Sequence, residues 1–214
     1  MGVYGVALLL ASCLCVSLVQ NAAGASRREY LNLLHALQHD RALQDPYIRA
    51  RCDLQNNPDL SDDIKAANNV QGAVTFKQLK TGGSLSVSVS LTGLDVSSAD
   101  LHGFHVHQFG DLTNGCGSTG GHFNPSGKQH GGPQDVERHV GDFGNVERNS
   151  DGSVYTEFTD DVASLLGTNT IIGRAIVLHK DTDDLGRGGY SDSLTTGHAG
   201  ARLACCIINE VVTV

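Results

Sequence analysis

One stretch of the sequence alternates apolar and polar residues without a break: Leu85-Ser86-Val87-Ser88-Val89-Ser90-Leu91. Because successive side chains of a β-strand point to opposite faces, this period of two predicts a strand with one buried and one wet face. The same alternation occurs in Ala73-Val74-Thr75-Phe76, and the turn residues Thr81-Gly82-Gly83-Ser84 lie between the two segments. The pair is therefore predicted to form a β-hairpin.

Further short strands are predicted on either side of two long polar intervals. The strands fall at residues 103–107, around 154–158, at 171–178 and at 203–208, and the intervals span 108–138 and 180–201. Many short strands joined by Gly-rich turns are typical of an all-β sandwich or barrel. Loops as long as these are uncommon in a compact domain unless a functional site orders them.

Composition agrees with this fold class and excludes some partners. The chain has 214 residues with 26 glycines, 4 prolines and no tryptophan, which favours a turn-rich β-protein over a helical bundle. Lys plus Arg number 15 and Asp plus Glu 23, so the formal net charge is 15 − 23 = −8. An acidic balance argues against binding to nucleic acid or to anionic lipid.

The N-terminus resembles a secretory signal peptide. Residues 3–19 are almost wholly apolar, no charged side chain precedes Arg27, and Ala23-Gly24-Ala25 offers small residues for cleavage. We therefore predict a signal peptide over residues 1–25 and a secreted, extracellular protein without a membrane segment after cleavage. An uncleaved membrane anchor is the alternative, since the apolar run approaches spanning length.

A helical leader and a linker are predicted to follow. Leu31, Leu34 and Leu37 recur near helical spacing between residues 26 and 44, and Ser26 with Glu29 has the pattern of a capping box. The Asn-rich, acidic stretch 56–69 has the composition of a linker. We thus predict a leader and linker over 26–69 and one globular domain over 70–214.

Four cysteines remain after the predicted cleavage: Cys52, Cys116, Cys205 and Cys206. An even number suits two disulfides in an oxidising compartment, and four cysteines allow three pairings. Neighbouring residues of a strand point to opposite faces, so Cys205 and Cys206 are expected to bond to separate partners rather than to each other.

Histidines are concentrated in one part of the chain. Five of the ten lie within the 35 residues from His105 to His139, and His179 ends a later predicted strand. In His105-Val106-His107 a spacing of two puts both imidazoles on one face of a strand. The set His122, His130, His139 and Asp142 suits zinc in a closed tetrahedral site, and an all-nitrogen remainder suits copper. The residue types predict two neighbouring nitrogen-rich metal sites and leave the metals unassigned.

Several motifs resemble those of copper/zinc superoxide dismutases, in order and with compatible spacing from about residue 70 to residue 209. They are Gly103-Phe104-His105-Val106-His107-Gln108-Phe109-Gly110-Asp111, Gly121-His122-Phe123-Asn124-Pro125, His130-Gly131-Gly132-Pro133, Glu137-Arg138-His139-Val140-Gly141-Asp142 and Gly200-Ala201-Arg202-Leu203-Ala204-Cys205. The resemblance implies an eight-stranded Greek-key β-barrel, an immunoglobulin-like sandwich with two long functional loops.

The resemblance also implies the metal ligands and their chemistry. It assigns one copper per chain to His105, His107, His122 and His179, and one zinc per chain to His122, His130, His139 and Asp142. Asp183 matches the family's carboxylate that joins a copper histidine to a zinc histidine. The implied reaction is dismutation of superoxide to dioxygen and hydrogen peroxide by a redox-cycling copper, with zinc as the structural partner, for antioxidant defence outside the cell.

Two residues are implied to act on superoxide directly. His122, shared by both metals, would carry the proton that the peroxide product takes up. Arg202 matches the channel arginine that attracts and docks the anion. Thr195 stands where many family members carry a lysine, so Arg202 is expected to supply more of the attraction.

The remaining expectations concern disulfides and assembly. Cys116 and Cys205 match the family's intrasubunit disulfide, and Cys52 with Cys206 resembles the extra pair of extracellular members, stapling the leader to the barrel. Gly110, Ile172 and Gly173 match the family's dimer contact, where Glu210 replaces an apolar residue. We expect a homodimer, with leader-mediated tetramers as a further option. The chain lacks the Lys/Arg-rich tail that binds heparan sulfate in vertebrate extracellular relatives, so no heparin-binding C-terminus is expected.

Three other readings compete with a copper/zinc enzyme. One is a noncatalytic secreted relative, metal-binding or chaperone-like, which would be expected to lack copper ligands or the channel arginine. Another is a copper-only enzyme, against which His130, His139 and Asp142 argue. A third, a purely structural secreted sandwich domain, leaves the histidine cluster unexplained. The histidines without an implied role are predicted to be surface or loop residues: His35, His39, His102 and His198.

Overall fold

The computed structural model describes residues 26–29, 31, 32, 35, 36 and 45–212. The chain divides into two units. One runs from Pro46 to Val212, and the other consists of residues 1–45 and 213–214. The predicted signal peptide, residues 1–25, lies outside the described residues. Within residues 26–36 and 45–212 as described, no helix is long and apolar enough to cross a membrane.

The described residues of the predicted leader helix are helical. Residues 27–29, 31, 32, 35 and 36 have α-helical backbone. Ser26 and Glu29 form the predicted capping box, in which Ser26 N donates to Glu29 Oε2 over 2.7 Å and Glu29 N donates to Ser26 Oγ over 3.4 Å. Leu31 of the predicted apolar stripe is exposed, and Leu34 and Leu37 lie outside the described residues.

The regular secondary structure of the unit from Pro46 to Val212 is mostly β-strand. Its strands are β1 (Tyr47–Asp53), β2 (Gln55–Asn56), β3 (Gln71–Leu79), β4 (Leu85–Thr92), β5 (Leu101–His107), β6 (Thr113–Cys116), β7 (Asp142–Glu147), β8 (Val154–Asp160), β9 (Ala175–His179), β10 (Arg202–Ile207) and β11 (Asn209–Glu210). Two short helices accompany them, α1 (Asp62–Ala67) and α2 (Ser193–Thr196). Three strands are short, namely β2, β6 and β11, and the other eight match the predicted number.

Strands pair into two antiparallel sheets. The first has the order β11-β1-β3-β4-β8 and the second the order β2-β10-β9-β5-β7. The predicted hairpin is confirmed as β3 and β4, with Val74 opposite Val89 and Phe76 opposite Val87. Because side chains alternate along each strand, these four residues all point to the same, buried face.

The core lies between the two sheets. Fully buried side chains from both sheets interlock there, among them Phe76, Leu85, Phe104, Ile176 and Leu178. Burying each such side chain contributes about 1.5–3 kcal/mol relative to leaving it in water. The core therefore makes the strands a stiff support for the loops that leave their ends.

The compact unit begins earlier than the domain boundary predicted at residue 70. β1 pairs with β3 over its whole length, with Ala50 opposite Phe76 and Cys52 opposite Val74. This strand was not predicted, because its buried side chains are small and do not stand out as an apolar pattern. Its outward side chains are charged: Arg49, Arg51 and Asp53. The predicted linker belongs to an excursion between β1 and β3, and it contains the second residue of β2 and the whole of α1.

Two other long strands, β7 and β9, differ from the sequence-based expectation, and the short strands β2, β6 and β11 were not predicted. β7 was not predicted, because its buried residues Phe143 and Val146 are three apart and do not alternate. β9 begins at Ala175 rather than at residue 171, since a turn bonds Arg174 N to Ile171 O over 3.1 Å. Both intervals predicted as long loops are loops for most of their length, holding only short elements such as β6 and α2.

Two disulfides connect these elements. Cys116–Cys205 joins the end of β6 to β10, across 89 residues of chain. Cys52–Cys206 joins β1 of one sheet to β10 of the other inside the core, across 154 residues. This second bond holds the sheets together, whereas the sequence had suggested that it fastens a leader to the barrel.

We predict that a Cys52→Ala/Cys206→Ala double variant loses roughly 2–5 kcal/mol of unfolding free energy, because the bond restricts the unfolded chain over a long loop. Urea unfolding of oxidised wild-type and variant proteins measures the difference. A Cys52→Ser/Cys206→Ser pair controls for the change in side-chain volume. Equal midpoints for wild-type and both variants would contradict the prediction.

Candidate metal centre

Neighbouring strands of the second sheet deliver the predicted histidines to one place. β5 carries His105 and His107, and its neighbour β9 ends at His179. β7, on the other side of β5, begins at Asp142, which is paired in register with His105. The loop between β6 and β7 adds His122, His130 and His139. Sheet pairing thus brings together residues that lie up to 74 positions apart in the chain.

A first group contains four buried histidines whose potential ligand atoms all lie within 4.8 Å of one another: His105, His107, His122 and His179. His107 Nδ1 donates to Gly120 O over 2.9 Å and His179 Nδ1 to Gly200 O over 3.2 Å. Because a carbonyl oxygen only accepts, these Nδ1 atoms carry the proton and the Nε2 atoms present lone pairs. The two Nε2 atoms lie 3.3 Å apart. This arrangement is the predicted copper group.

A second group surrounds a carboxylate and shares His122 with the first: His122, His130, His139 and Asp142. The Nδ1 atoms of its three histidines lie 2.8, 3.0 and 3.0 Å from Asp142 Oδ1. Asp142 Oδ2 accepts from the N–H groups of His139 and Gly131 over 2.8 and 3.2 Å. Three imidazole nitrogens and one carboxylate oxygen form a closed donor set of the kind that zinc takes. This arrangement is the predicted zinc group.

His122 faces both groups with different ring nitrogens. Its Nδ1 points to Asp142, and its buried Nε2 has no hydrogen-bond partner. Its ring centroid lies 4.1 Å from that of His105 and 5.2 Å from that of His130. One imidazole is thus positioned to offer one nitrogen to each of two ions.

Asp183 connects the two groups from behind. Its Oδ2 lies 2.9 Å from His105 Nε2, and its Oδ1 lies 2.8 Å from His130 Nε2. Asn145 holds the main chain of Asp183 on both sides, accepting from its N–H over 2.8 Å and donating to its carbonyl over 2.9 Å. Since carboxylates accept, both Nε2 atoms are protonated and both Nδ1 atoms are directed toward the candidate ions.

Burial keeps most of these imidazoles neutral. It lowers the pKa of His105 and of His107 well below the usual value, and the neighbouring histidines lower it further. Burial likewise lowers the pKa of His179 to about 3. Neutral imidazole is the form that binds a metal, so these rings are ready to act as ligands at any physiological pH.

The carboxylate group has the opposite electrostatics. Burial disfavours a charge on His130, yet the carboxylates of Asp142 and Asp183 outweigh it and raise its pKa to about 9. Burial would also raise the pKa of Asp142, but hydrogen bonds with the three surrounding histidines hold it well below its usual range. A metal cation bound by these residues would replace the proton on His130.

Unpartnered atoms show that metal ions fit this centre. The buried atoms His105 Nδ1 and His122 Nε2 make no hydrogen bond. Leaving buried polar atoms unsatisfied costs about 1–3 kcal/mol each, and both atoms belong to the all-histidine group with ligand spacing. Imidazole donors suit both copper and zinc.

Arg202 lies at the start of β10, beside the first group. Its guanidinium donates to Cys116 O over 2.7 Å, to Thr119 Oγ1 over 3.0 Å and to Gly120 O over 2.8 Å. The Thr119 hydroxyl is in turn 3.2 Å from His107 Nδ1. Partial burial lowers the pKa of Arg202 from its usual value, but an arginine remains charged.

One histidine was wrongly predicted to be a surface or loop residue. His102 lies in β5 and is fully buried, because both faces of that strand are covered, and its Nδ1 contacts His179 O over 2.9 Å. His35 and His198 are exposed as predicted, whereas His39 lies outside the described residues. Sequence reasoning missed Asn145, whose only local signal is its position three residues after Asp142.

Fold and site together define a class: a two-sheet β-protein whose second sheet and its loops form two adjoining metal groups with one shared histidine. The model of the family described as copper/zinc superoxide dismutase matches residues 70–208. A superoxide dismutase [Cu-Zn] of Schizosaccharomyces pombe is 50% identical over 149 residues, 70% of this chain and 96% of the relative. The one of Candida albicans is 50% identical over 145 residues, 68% and 93% of the two chains.

A solved structure agrees with these relatives. The crystal structure of the clock protein EA4 superposes with a TM-score of 0.66 at 43% identity, covering 75% of this chain and 93% of that one. The chain belongs to the copper/zinc superoxide dismutase family.

We predict that Asp183→Asn weakens zinc binding about 10- to 100-fold, because an amide cannot accept a hydrogen bond from both His105 and His130. Competition with a chromophoric chelator measures the affinity. The matched control is Asp181→Asn. The Asp181 carboxylate is half-exposed and forms an ion pair with Lys180. Equal zinc affinities for the two variants would refute the bridging role of Asp183.

Proposed function

We propose that this protein dismutates superoxide, converting two superoxide ions and two protons into one dioxygen and one hydrogen peroxide. The observation that carries the proposal is the position of His122 between the two groups. It presents one ring nitrogen to the all-histidine group and the other to the histidine–carboxylate group. Membership of the family supports the reaction. The proposed complement is one copper and one zinc per chain.

His105, His107, His122 and His179 would hold copper, and His122, His130, His139 and Asp142 would hold zinc. Copper supplies one-electron exchange by alternating between Cu(II) and Cu(I), and zinc supplies charge without redox chemistry. No side-chain nucleophile is needed. The task of the protein is to fix the imidazoles, admit a small anion and provide protons.

His122 is the proposed proton carrier. Its Nε2 is buried, without a hydrogen-bond partner, and is directed toward the first group, while Asp142 orients the other side of the ring. In the half-reaction that would make hydrogen peroxide, His122 would no longer bind copper at Nε2; it would hold there a proton taken from solvent and give it to the reduced product. The second proton comes from water.

Arg202 is the proposed guide for the anion. Four hydrogen bonds hold its guanidinium, and the Thr119 hydroxyl connects it to His107 of the copper group. A permanent positive charge beside the reaction centre attracts superoxide in a protein whose net charge is −8. Thr195 is exposed in α2 and adds no charge, which leaves Arg202 with the larger share.

We further propose a secreted homodimer that works as an antioxidant outside the cell. Two disulfides and the apolar N-terminus support secretion. Gly110 and Gly173 are in close contact, and a Cβ on Gly110 would lie 2.1 Å from Gly173 O. The two backbones therefore pack closely in the region where the family resemblance places the dimer contact. N-terminal sequencing of the exported protein and sedimentation equilibrium test the two statements; a retained residue 1 or a monomer would refute them.

We predict that His122→Ala lowers the affinity for both copper and zinc and abolishes superoxide consumption, because each group loses one ligand. Metal analysis after reconstitution and a cyanide-sensitive superoxide assay measure the two effects. His198→Ala is the matched control, since His198 is exposed and contacts Asp192 and Tyr190 instead. A wild-type protein that binds both metals without activity would support a noncatalytic relative.

We predict that Arg202→Ala slows superoxide consumption by about tenfold, a general size for charge steering that is described for this family among others. The copper content should stay unchanged, and the decrease of the rate with ionic strength should become shallower. Pulse radiolysis at several salt concentrations measures both. Arg187→Ala removes an exposed, ion-paired charge as the control. Loss of copper from Arg202→Ala would show that the residue has a structural role instead.

A further inference from the structure

The excursion between β1 and β3 carries a residue that reaches Arg202. β2 pairs with β10, with Asn56 opposite Ala204 and Gln55 opposite Cys205. The chain leaving β1 of the first sheet thus crosses to the edge of the second sheet. The next residue, Asn57, arrives beside the first residues of β10.

Asn57 makes hydrogen bonds through its main-chain N–H and through both polar atoms of its side chain. Its main-chain N–H donates to Leu203 O over 2.9 Å, and its side-chain Nδ2 donates to Arg202 O over 2.9 Å. Its Oδ1 accepts from Cys116 N over 3.1 Å and from Asp59 N over 3.3 Å. The residue is buried, with 7% of its surface exposed. A buried amide that is hydrogen-bonded at both its nitrogen and its oxygen has a single orientation.

These bonds close a ring with the anchor of the guanidinium. Arg202 Nη1 donates to Cys116 O, and Asn57 holds both the main-chain carbonyl of Arg202 and the main-chain N–H of Cys116. One amide group, that of Asn57, therefore fixes both the main chain of Arg202 and Cys116, the residue that accepts a hydrogen bond from the Arg202 guanidinium. A change in Asn57 moves the two ends relative to each other.

Asn57 holds the main-chain N–H of Cys116, whereas the Thr119 hydroxyl donates to the Cys116 carbonyl over 2.8 Å. The disulfide from Cys116 runs to Cys205 and constrains side chains, leaving the main chain of Cys116 to be oriented by other contacts. Gly115 has a φ of +58° and no room for a side chain, since a Cβ there would lie 2.4 Å from Asn57 Oδ1. The loop is built to let the amide of Asn57 approach its backbone.

We propose that Asn57 is a positioning residue, which sets the direction of the Arg202 guanidinium and thereby the affinity of the copper site for anions. The inference rests on the proposed function of Arg202. It gives the excursion between the sheets a role in activity that a loop remote from the histidines would not have.

The test uses reconstituted protein, with azide as the probe anion and the superoxide rate as a second readout. Asn57→Ala should weaken azide binding to the copper protein and slow superoxide consumption by about threefold or more each, with copper and zinc contents unchanged. Asn68→Ala is the matched control, because Asn68 lies in the same excursion and bonds to Ile64 and Asp95 instead. Its azide affinity should equal that of wild type.

A double-mutant cycle separates positioning from general loosening of the loop. In an Arg202→Ala background, Asn57→Ala should have no further effect on azide binding, because the group that it positions is gone. Additive effects, or a wild-type affinity in Asn57→Ala, would overturn the proposal. If Asn57→Ala does not fold, the same cycle with Asn57→Ser decides, and a smaller shift in the same direction is expected. A wild-type protein without activity would instead refute the proposed function.

Discussion

The metal centre depends on how the outer nitrogen of each candidate ligand histidine except the shared His122 is held. Backbone carbonyls of Gly120, Gly200 and Lys128 accept from three rings, and Asp183 accepts from two more. Each acceptor fixes a proton on the far side of the ring, so a lone pair remains on the near side. Burial prevents that lone pair from being protonated in the copper group. The geometry of the centre is thus set by residues that never touch a metal.

These acceptors lie in loops, and the loops are anchored at their ends to a rigid sheet. β5, β9 and β7 are neighbours in the second sheet, and the core between the sheets fixes their spacing. The loops that leave the sheet would be costly to order alone, since each fixed residue costs roughly 1–2 kcal/mol of backbone entropy. A disulfide at Cys116 and the network around Asp183 offset that cost. A rigid base and pinned loops let a polar centre be buried without collapsing into alternative arrangements.

The sequence predicts those parts of the fold where one physical signal dominates. The β3–β4 hairpin has strict alternation and a Gly-rich turn, and it forms as predicted. The candidate metal ligands also lie in the two predicted groups. Their assignment was possible because the order of the motifs matches that of a known family. β1 could not be recognised, since charges at Arg49 and Arg51 and a small Ala50 conceal its buried face. Asn145, Asn57 and the buried His102 were invisible for another reason: their importance comes from tertiary contacts, which no local pattern encodes.

The adjacent cysteines of β10 have a consequence for how the chain folds. Cys205 bonds toward the outer loop and Cys206 toward the interior, because successive residues of a strand face opposite ways. A slip of β10 by one residue would exchange the two thiols between these environments and offer each the wrong partner. Oxidation therefore locks the strand only in its native alignment. The same alignment sets Arg202 opposite His179, so the disulfides that select the native register also fix the residue proposed to guide the anion.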